Sequence, residues 1–247
     1  MPRHFITGSE LSRDELNALI ERALVLKASP FSSDALRKRT VALIFQKPST
    51  RTRVSFETGI TELGGHPMVL RTDDLQLSRG ESVRDTAYVL SRHAAAIGIR
   101  TGDDQLIDEL AEHATVPVIN MLSPSHHPCQ VLADLLTLRE TFGGLDGLTL
   151  AYVGDGNNVA RSLIVVGTRA GLEVRVAAPD GYQLEPDGGG VLTDDPTSSD
   201  WSRVLSPDEQ ARSLELLGPY LVRLGYETEE SLHRLRKSRW QTAIAVS

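Results

Sequence analysis

Hydroxyl and guanidinium side chains are concentrated in the segment Ser49-Thr50-Arg51-Thr52-Arg53, which directly follows the apolar run Val41 to Phe45. The apolar run predicts a buried strand, and the segment after it predicts the start of a helix. Backbone amides at a helix start have no partner within the helix, and the helix dipole favours an anion there. Arginine adds bidentate contacts, and hydroxyl groups donate short hydrogen bonds. The segment therefore predicts a phosphate site; the alternative is that it only caps a helix.

Strand-like apolar runs alternate with helical patterns along the first half of the chain. Such alternation predicts a parallel sheet covered on both faces, with ligands at the carboxyl ends of its strands. Arg100 and Thr101 follow one of these runs and so are expected at the ligand-binding edge. A capping box at Ser12 to Glu15 predicts an amphipathic first helix. The four runs are Val41 to Phe45, Pro67 to Leu70, Ala96 to Ile99 and Val116 to Ile119.

A second βα unit is predicted after the break at Pro124 to Pro128. A helix from Cys129 to Thr141 would bridge to it, and the fold class is α/β: two parallel-sheet βα domains joined by a helix, the second incomplete, then a mostly helical tail. The expected domains are 1–140, 141–186 and 187–247. The turn Gly154-Asp155-Gly156 lacks the third glycine and the acidic residue of a dinucleotide site, which disfavours a nicotinamide enzyme. The unit's expected elements are a strand over 148–153, a helix over 159–170 and a strand over 173–178.

Composition fits a soluble intracellular enzyme. The chain has 247 residues, 40% of them hydrophobic, and a net charge of −7, which disfavours affinity for nucleic acid or an anionic membrane. A single cysteine excludes an intramolecular disulfide. No apolar run reaches membrane-spanning length, and Met1 to Ile6 carries no signal-peptide core, so a cytoplasmic location is expected. The histidines and carboxylates show no metal-ligand spacing, and no cofactor is expected.

Three ordered motifs carry a resemblance to a known family. Phe45 to Glu57 resembles the carbamoyl-phosphate loop of the transcarbamoylases. His127 to Asp134 is similar to the ornithine carbamoyltransferase branch, in which cysteine stands where the aspartate branch has threonine. The turn Gly154 to Asn158 is placed as the ornithine enzymes place it. Up to about residue 185 the chain is thus identified as a member of the aspartate/ornithine carbamoyltransferase family.

The resemblance implies transfer of the carbamoyl group from carbamoyl phosphate to ornithine, giving citrulline and phosphate in arginine metabolism. Little covalent chemistry is then needed from the protein, which holds the phosphate, polarises the carbonyl and aims an unprotonated amine. Gln76 matches a position that reaches into a neighbouring subunit's site, which implies a homo-oligomer, usually a trimer. Asn158 would hold the amino-acid end of ornithine. The implied carbamoyl-phosphate residues are Ser49, Thr50, Arg51, Thr52, Gln76, Arg100, His127 and Gln130, of which Arg51, Arg100, His127 and Gln130 are the implied catalytic residues.

Several of these residues also have a purely structural interpretation. Outside its motif, His127 would be a hydrogen-bonded loop histidine. Arg53 points to a different side of the helix from Arg51, so we expect it to form a structural ion pair. Cys129 is expected to be a small packed residue without a lowered thiol pKa. Glu81 and Asp85 form a charged helix face and are left out of the site.

The chain departs from the family near Pro186. The Asp-x-x-x-Ser-Met-Gly and His-Cys-Leu-Pro motifs of the second domain, and a late arginine facing carbamoyl phosphate, are not in the sequence. A polar linker at 187–199 is instead followed by a leucine-striped helix that starts at Ser206-Pro207. Trp201, Leu205 to Pro207 and Leu224 to Tyr226 resemble the carboxyl end of some bacterial sulfotransferases, without the nucleotide-binding loop, so no sulfotransferase chemistry is implied.

Two hypotheses from different classes follow from this pattern. The favoured one is an ornithine carbamoyltransferase, impaired or completed by neighbouring subunits. The alternative is a non-catalytic module that binds carbamoyl phosphate or a partner. Within the enzyme class a different amine acceptor, such as putrescine or aspartate, is a lesser alternative, because the absent motifs are those that select the acceptor.

Overall fold

The computed structural model describes residues 2–178 and 182–184. The linker, leucine-striped helix and sulfotransferase-like segment predicted beyond residue 186 lie outside these residues and stay predictions. Within the described part no helix is long and apolar enough to cross a membrane. The helices are α1 (Arg13–Ala28), α2 (Thr50–Glu62), α3 (Val83–His93), α4 (Asp104–His113), α5 (Pro128–Phe142) and α6 (Asn158–Ser162). The strands are β1 (Thr40–Phe45), β2 (His66–Arg71), β3 (Ala96–Arg100), β4 (Val118–Leu122), β5 (Thr149–Val153) and β6 (Glu173–Ala177).

The first four strands form one parallel sheet in the order β2-β1-β3-β4. β1 is a central strand, and its residues Val41 to Phe45 are all buried, as an apolar run in a sheet covered on both faces requires. β2 is an edge strand and is only partly buried. The register pairs Phe45 with Arg100, so β1 and β3 end side by side. The predicted α/β class and parallel sheet are confirmed.

The fourth strand differs from its sequence prediction. It was expected over Val116 to Ile119 but begins at Val118 and runs to Leu122. Pro117 has no backbone N–H to give to a ladder, and its carbonyl only accepts from the amide of Ile97, at 2.9 Å. The shift carries the strand end closer to the loop that holds His127.

The second sheet has two parallel strands, β5 and β6. Between them the predicted helix is present but irregular, because α6 passes into a π-helical stretch at Leu163–Gly167. Its buried side chains pack with those of α5 in a second hydrophobic core. That core also contains Leu16 and Ile20 of α1. The capping box predicted at the start of this helix, between Ser12 and Glu15, is confirmed. The amino-terminal helix therefore packs with the second sheet's core, a long-range contact that the sequence did not indicate.

Candidate active site

The start of α2 lies at the carboxyl end of β1. Ser49 occupies the N-cap position in an extended conformation, but its side chain makes no capping hydrogen bond. No acidic residue stands in the first turn, and Thr50 and Arg51 are exposed. In the described part of the chain the Arg51 guanidinium has no hydrogen bond or ion pair. The Ser49 side chain therefore does not cap α2, whereas the exposure of Thr50 and Arg51 agrees with the alternative in which the segment serves only as a helix start facing solvent.

Arg53 has a structural partner on its own helix. Its Nε donates to Oε1 of Glu57 at 2.7 Å, an i to i+4 ion pair. The expected structural role of Arg53 is confirmed. The neighbouring Arg51 is therefore the arginine of this segment whose charge is left for an anion.

Arg100 joins the end of β3 to the first turn of α2. Its Nη1 donates to Oγ1 of Thr52 at 3.1 Å, although the two residues are 48 positions apart. Its Nε is buried and has no hydrogen-bond partner among the described residues. Burial lowers the pKa of the guanidinium from its ordinary value of 12.5, and it stays charged near neutral pH. A buried donor without a partner is costly, so this nitrogen is suited to an oxygen of a bound anion or of water.

His127 faces Arg100 from the loop after β4. It stands at the N-cap of α5, and its Nδ1 is buried without a hydrogen-bond partner in the described part of the chain. Burial, and then the positive charge of Arg100, lower the pKa of its imidazole from 6.5 to about 4. The ring is therefore neutral at pH 7 and can donate one N–H without adding charge. The interpretation of His127 as a hydrogen-bonded loop histidine is not supported for its ring.

Gln130 and Cys129 lie in the first turn of α5. The Gln130 amide donates to Oδ1 of Asp134 at 2.9 Å, and burial raises the pKa of that carboxyl. Cys129 donates from Sγ to the backbone carbonyl of Asn120 at 3.3 Å, and burial raises its thiol pKa to about 12. Cys129 is thus the packed thiol expected from the sequence. Gln130 is oriented by Asp134 and keeps a second amide hydrogen for another acceptor.

The remaining two candidate site residues, Asn158 and Gln76, lie in different parts of the structure. Asn158 begins α6, and its Nδ2 donates to the backbone carbonyl of Ser123 at 2.8 Å, beside the His127 loop. Gln76 is exposed in a short 3₁₀ turn after the edge strand β2. The sheet order separates Gln76 from the β3 and β4 ends that carry Arg100 and His127. One chain therefore brings Thr52, Arg100 and His127 together and leaves Gln76 apart.

An open cavity of about 650 Å³ lies on the β2 side of the α2 start. Arg100 and His127 lie beyond β1 on the other side, so the first turn of α2 stands between the cavity and those two residues. Within the described residues no group of three or more metal-ligating side chains occurs. The cavity is lined by Phe45, Gln46, Lys47, Pro48, Ser49, Thr50, Arg53, Val54, Val69, Arg71 and Asp73.

Sequence reasoning missed three contacts that support the site. Thr101 donates its hydroxyl to Gln46, which ties the ends of β1 and β3. The Lys47 side chain covers Gly102, where an added Cβ would lie 3.2 Å from Nζ. Ser162 of α6 accepts from the backbone N–H of His127 at 2.7 Å. The positions of Gln46 and Thr101 after strands could have signalled the first contact, whereas nothing near Ser162 in the sequence signals the third.

A parallel sheet whose strand ends gather a helix start, a half-buried arginine and a neutral histidine defines an α/β protein with a candidate anion site. Family models agree: the carbamoyl-phosphate-binding domain of aspartate/ornithine carbamoyltransferases matches residues 3–140, and their Asp/Orn-binding domain matches residues 146–200. The chain belongs to the aspartate/ornithine carbamoyltransferase family. The second match extends past residue 185, where the resemblance was expected to end.

Individual ornithine carbamoyltransferases are similar to this chain in sequence and in structure. An ornithine carbamoyltransferase of Acidothermus cellulolyticus is 57% identical over 187 residues, which cover 75% of this chain and 60% of that relative. The chain thus spans about three fifths of that relative's length. The crystal structure of ornithine carbamoyltransferase from Thermus thermophilus matches with a TM-score of 0.71 and 45% identity, over 75% of this chain and 65% of that one.

One relative matches the chain over a longer range. An ornithine carbamoyltransferase of Renibacterium salmoninarum is 42% identical over 251 residues, covering 90% of this chain and 81% of that relative. This alignment is longer than the chain's own 247 residues, so the relative carries residues that have no counterpart here. Likeness to the family therefore includes part of the segment beyond residue 186.

Proposed function

We propose that this chain binds carbamoyl phosphate and transfers its carbamoyl group to ornithine, giving citrulline and phosphate. The observation that carries the proposal is the contact between Arg100 and Thr52, with the neutral His127 beside it. The contact links a half-buried cation to a helix start that presents free amides and hydroxyls. The similar proteins are ornithine carbamoyltransferases, which supports the choice of reaction.

The phosphate end is the part that the described residues support best. The first-turn amides of α2, the side chains of Ser49, Thr50 and Thr52, and the unpaired Arg51 would hold the phosphate. Arg100 would add the second positive charge, using the nitrogen that has no partner in the described part of the chain. Two cations at a helix start also favour departure of phosphate, because negative charge grows on it as it leaves.

The carbonyl end would be polarised by Arg100, His127 and Gln130. As the ornithine amine attacks the carbonyl carbon, negative charge grows on the carbonyl oxygen, and preorganised donors stabilise it. The carbon–oxygen bond to phosphate then breaks, phosphate leaves with the electron pair, and the proton lost by the amine passes to the departing phosphate. His127 acts as a neutral donor, because its pKa near 4 leaves the ring unprotonated at pH 7.

The acceptor side is carried by Asn158, which lies beside the His127 loop through its bond to Ser123. The sequence contains neither of the acceptor motifs of the second domain. This observation favours the second candidate function, a module that binds carbamoyl phosphate without transferring it. Transfer to another amine, such as putrescine or aspartate, is the lesser alternative.

Assembly and location complete the proposal. Gln76 is exposed and distant along the sheet from Arg100, which supports a role in a neighbouring subunit's site within a homo-oligomer, a trimer by family resemblance. We propose a cytoplasmic location, with domains at 1–140 and 141–186 and a tail at 187–247.

The experiment measures citrulline made by purified full-length chain from carbamoyl phosphate and ornithine. Arg51→Ala is compared with Arg22→Ala, which removes an exposed arginine of α1. Activity that only Arg51→Ala abolishes supports the transferase. Binding of inorganic phosphate, measured by calorimetry and lost only in Arg51→Ala, without citrulline from the folded wild type, would replace the transferase by the binding module.

A further inference from the structure

Helix α6 reaches across to the loop that carries His127. Asn158 Nδ2 donates to the carbonyl of Ser123 at 2.8 Å, and Ser162 Oγ accepts from the backbone N–H of His127 at 2.7 Å. Residues four apart on a helix share one face. Two side chains on one face of α6 therefore bind both ends of the same five-residue loop.

The contact at Ser162 is buried and joins two parts of the fold. Ser162 has no exposed surface, and its partner lies 35 positions earlier in the chain. The loop has other anchors: in its middle the Ser125 hydroxyl donates to Asp104 at 2.7 Å, and at its first residue Ser123 Oγ accepts from the Asn120 amide at 3.1 Å. Ser162 is the side chain that binds the loop at His127 itself.

The position of the imidazole depends on this backbone contact. Its Nδ1 has no hydrogen-bond partner among the described residues, and the N-cap at His127 has no side-chain capping bond. The direction of a side chain follows from its backbone once the rotamer is fixed. Holding the His127 N–H therefore holds the ring near Arg100, whose positive charge acts on the imidazole.

We propose that Ser162 is a positioning residue for His127. Its hydroxyl fixes the loop backbone so that the neutral imidazole lies where the carbonyl oxygen of the substrate develops charge. The inference rests on the proposed carbamoyl transfer for its catalytic consequence, but its structural part does not need activity. The second βα unit then has a role that does not depend on the acceptor motifs. Its helix α6 positions His127, a residue of the candidate site at the first sheet.

The test compares Ser162→Ala with Thr168→Ala, which removes a hydroxyl further along the same helical segment. Within residues 2–178 and 182–184 the Thr168 hydroxyl bonds back to the carbonyl of Ile164 on its own helix, so its loss leaves the loop contacts intact. The imidazole of His127 is titrated by carbon–proton correlation NMR in the full-length chain. In Ser162→Ala we expect its pKa to rise from about 4 towards 6.5, because the freed ring gains water, while Thr168→Ala keeps the wild-type value.

Kinetics supply the second readout. Misplacement of a catalytic group by about 1 Å costs up to about 100-fold in rate, so we expect kcat of Ser162→Ala to fall roughly 10- to 100-fold while KM for carbamoyl phosphate changes less. Ser162→Cys, whose sulfur is a weaker acceptor of similar size, should fall between wild type and alanine. If Ser162→Ala does not fold, the same measurements are made on Ser162→Cys.

Several results would overturn the proposal. One is a folded Ser162→Ala variant with an unchanged imidazole pKa and an unchanged kcat. Another is a lowered unfolding temperature with an unchanged imidazole pKa, since it would reduce Ser162 to a structural hydrogen bond. A wild type that makes no citrulline would refute the proposed transfer but leave the titration decisive for Ser162.

Discussion

The guanidinium of Arg100 donates from Nη1 to the hydroxyl of Thr52 across 3.1 Å, joining the end of β3 to the start of α2. β1 leads directly into α2, and its register with β3 sets Phe45 beside Arg100. The pairing of β1 with β3 therefore decides which arginine reaches the helix start. The sheet order thus assembles the candidate phosphate site.

Replacing Thr52 by valine tests that relationship. Valine keeps the branched shape and removes the hydroxyl, so Arg100 loses its partner and the phosphate loses a donor. A hydrogen bond to a charged group contributes about 1.5–3 kcal/mol, so we expect KM for carbamoyl phosphate to rise roughly tenfold or more. The control is Thr61→Val on the same helix, where the hydroxyl bonds back to the carbonyl of Glu57 and, among the described residues, to nothing else. Equal KM values in the two variants would exclude a role for the Thr52 hydroxyl.

The order of the first sheet could be anticipated only in part from the sequence. The strand over Val41 to Phe45 was predictable because an unbroken apolar run fits a strand buried on both faces. The β4 boundary was missed, because apolar character alone does not show that Pro117 lacks the N–H that a strand ladder needs. The segment Ser49 to Arg53 was predicted as a phosphate site from its local chemistry, and this stays a prediction. The pairing of Arg100 with Thr52 was not predicted, since residues 48 apart meet only through strand order.

The second unit was harder to anticipate for a related reason. The packing of Leu16 and Ile20 against α5 and the contact of Ser162 with His127 both join distant segments. Periodicity within a segment indicates that a face is buried but not which partner buries it. Asn158 was expected to face ornithine, and its bond to Ser123 became visible only in three dimensions.

The depressed pKa of His127 makes a prediction about stability and pH. Its pKa falls from 6.5 in the unfolded chain to about 4 in the folded one, so between these values the unfolded state binds the proton more readily. This stabilisation is fully present above about pH 6.5 and is lost as the pH falls towards 4. We expect a contribution of about 1–2 kcal/mol once the partial exposure of the ring is discounted.

The measurement is the unfolding temperature at steps between pH 7.5 and 5, for wild type and His127→Asn. Carboxylates titrate in both proteins, so the difference between the two curves isolates the histidine. We expect a shallower decline in the variant. The same substitution at exposed His66 is the control for loss of one histidine. Parallel curves for wild type and His127→Asn would contradict the buried neutral ring.

Gly156 should be sensitive to a single added methyl group. A Cβ at this position would lie 2.5 Å from the backbone nitrogen of Leu184 and 2.8 Å from the carbonyl oxygen of Tyr182, too close for either to remain. Gly156 also donates its amide to Tyr182 at 2.7 Å. We expect Gly156→Ala to lower the free energy of unfolding by about 1–3 kcal/mol, because backbone cannot give way as a flexible side chain does.

Urea unfolding followed by circular dichroism measures this effect. Gly144→Ala is the matched control, since an added Cβ there meets nothing within 4 Å and its φ is not positive. Equal midpoints for the two variants would mean that the 182–184 segment does not lie against the Gly156 turn in solution.

The position of Gln76 predicts that active sites are shared between subunits. Gln76 is exposed beyond the edge strand β2, whereas Arg51 stands at the start of α2. If Gln76 serves a neighbour's site, Arg51→Ala and Gln76→Ala homo-oligomers each lack one component at every site and make little citrulline. When the two variants are mixed, reversibly dissociated and reassembled, some interfaces join an intact Arg51 to an intact Gln76. We therefore expect activity to reappear in the mixture, rising with the fraction of hybrid oligomers.

Each variant taken through the same cycle alone is the control. Equal low activity in mixed and separate samples, with hybrids demonstrated by mass spectrometry, would place Gln76 outside its neighbour's site.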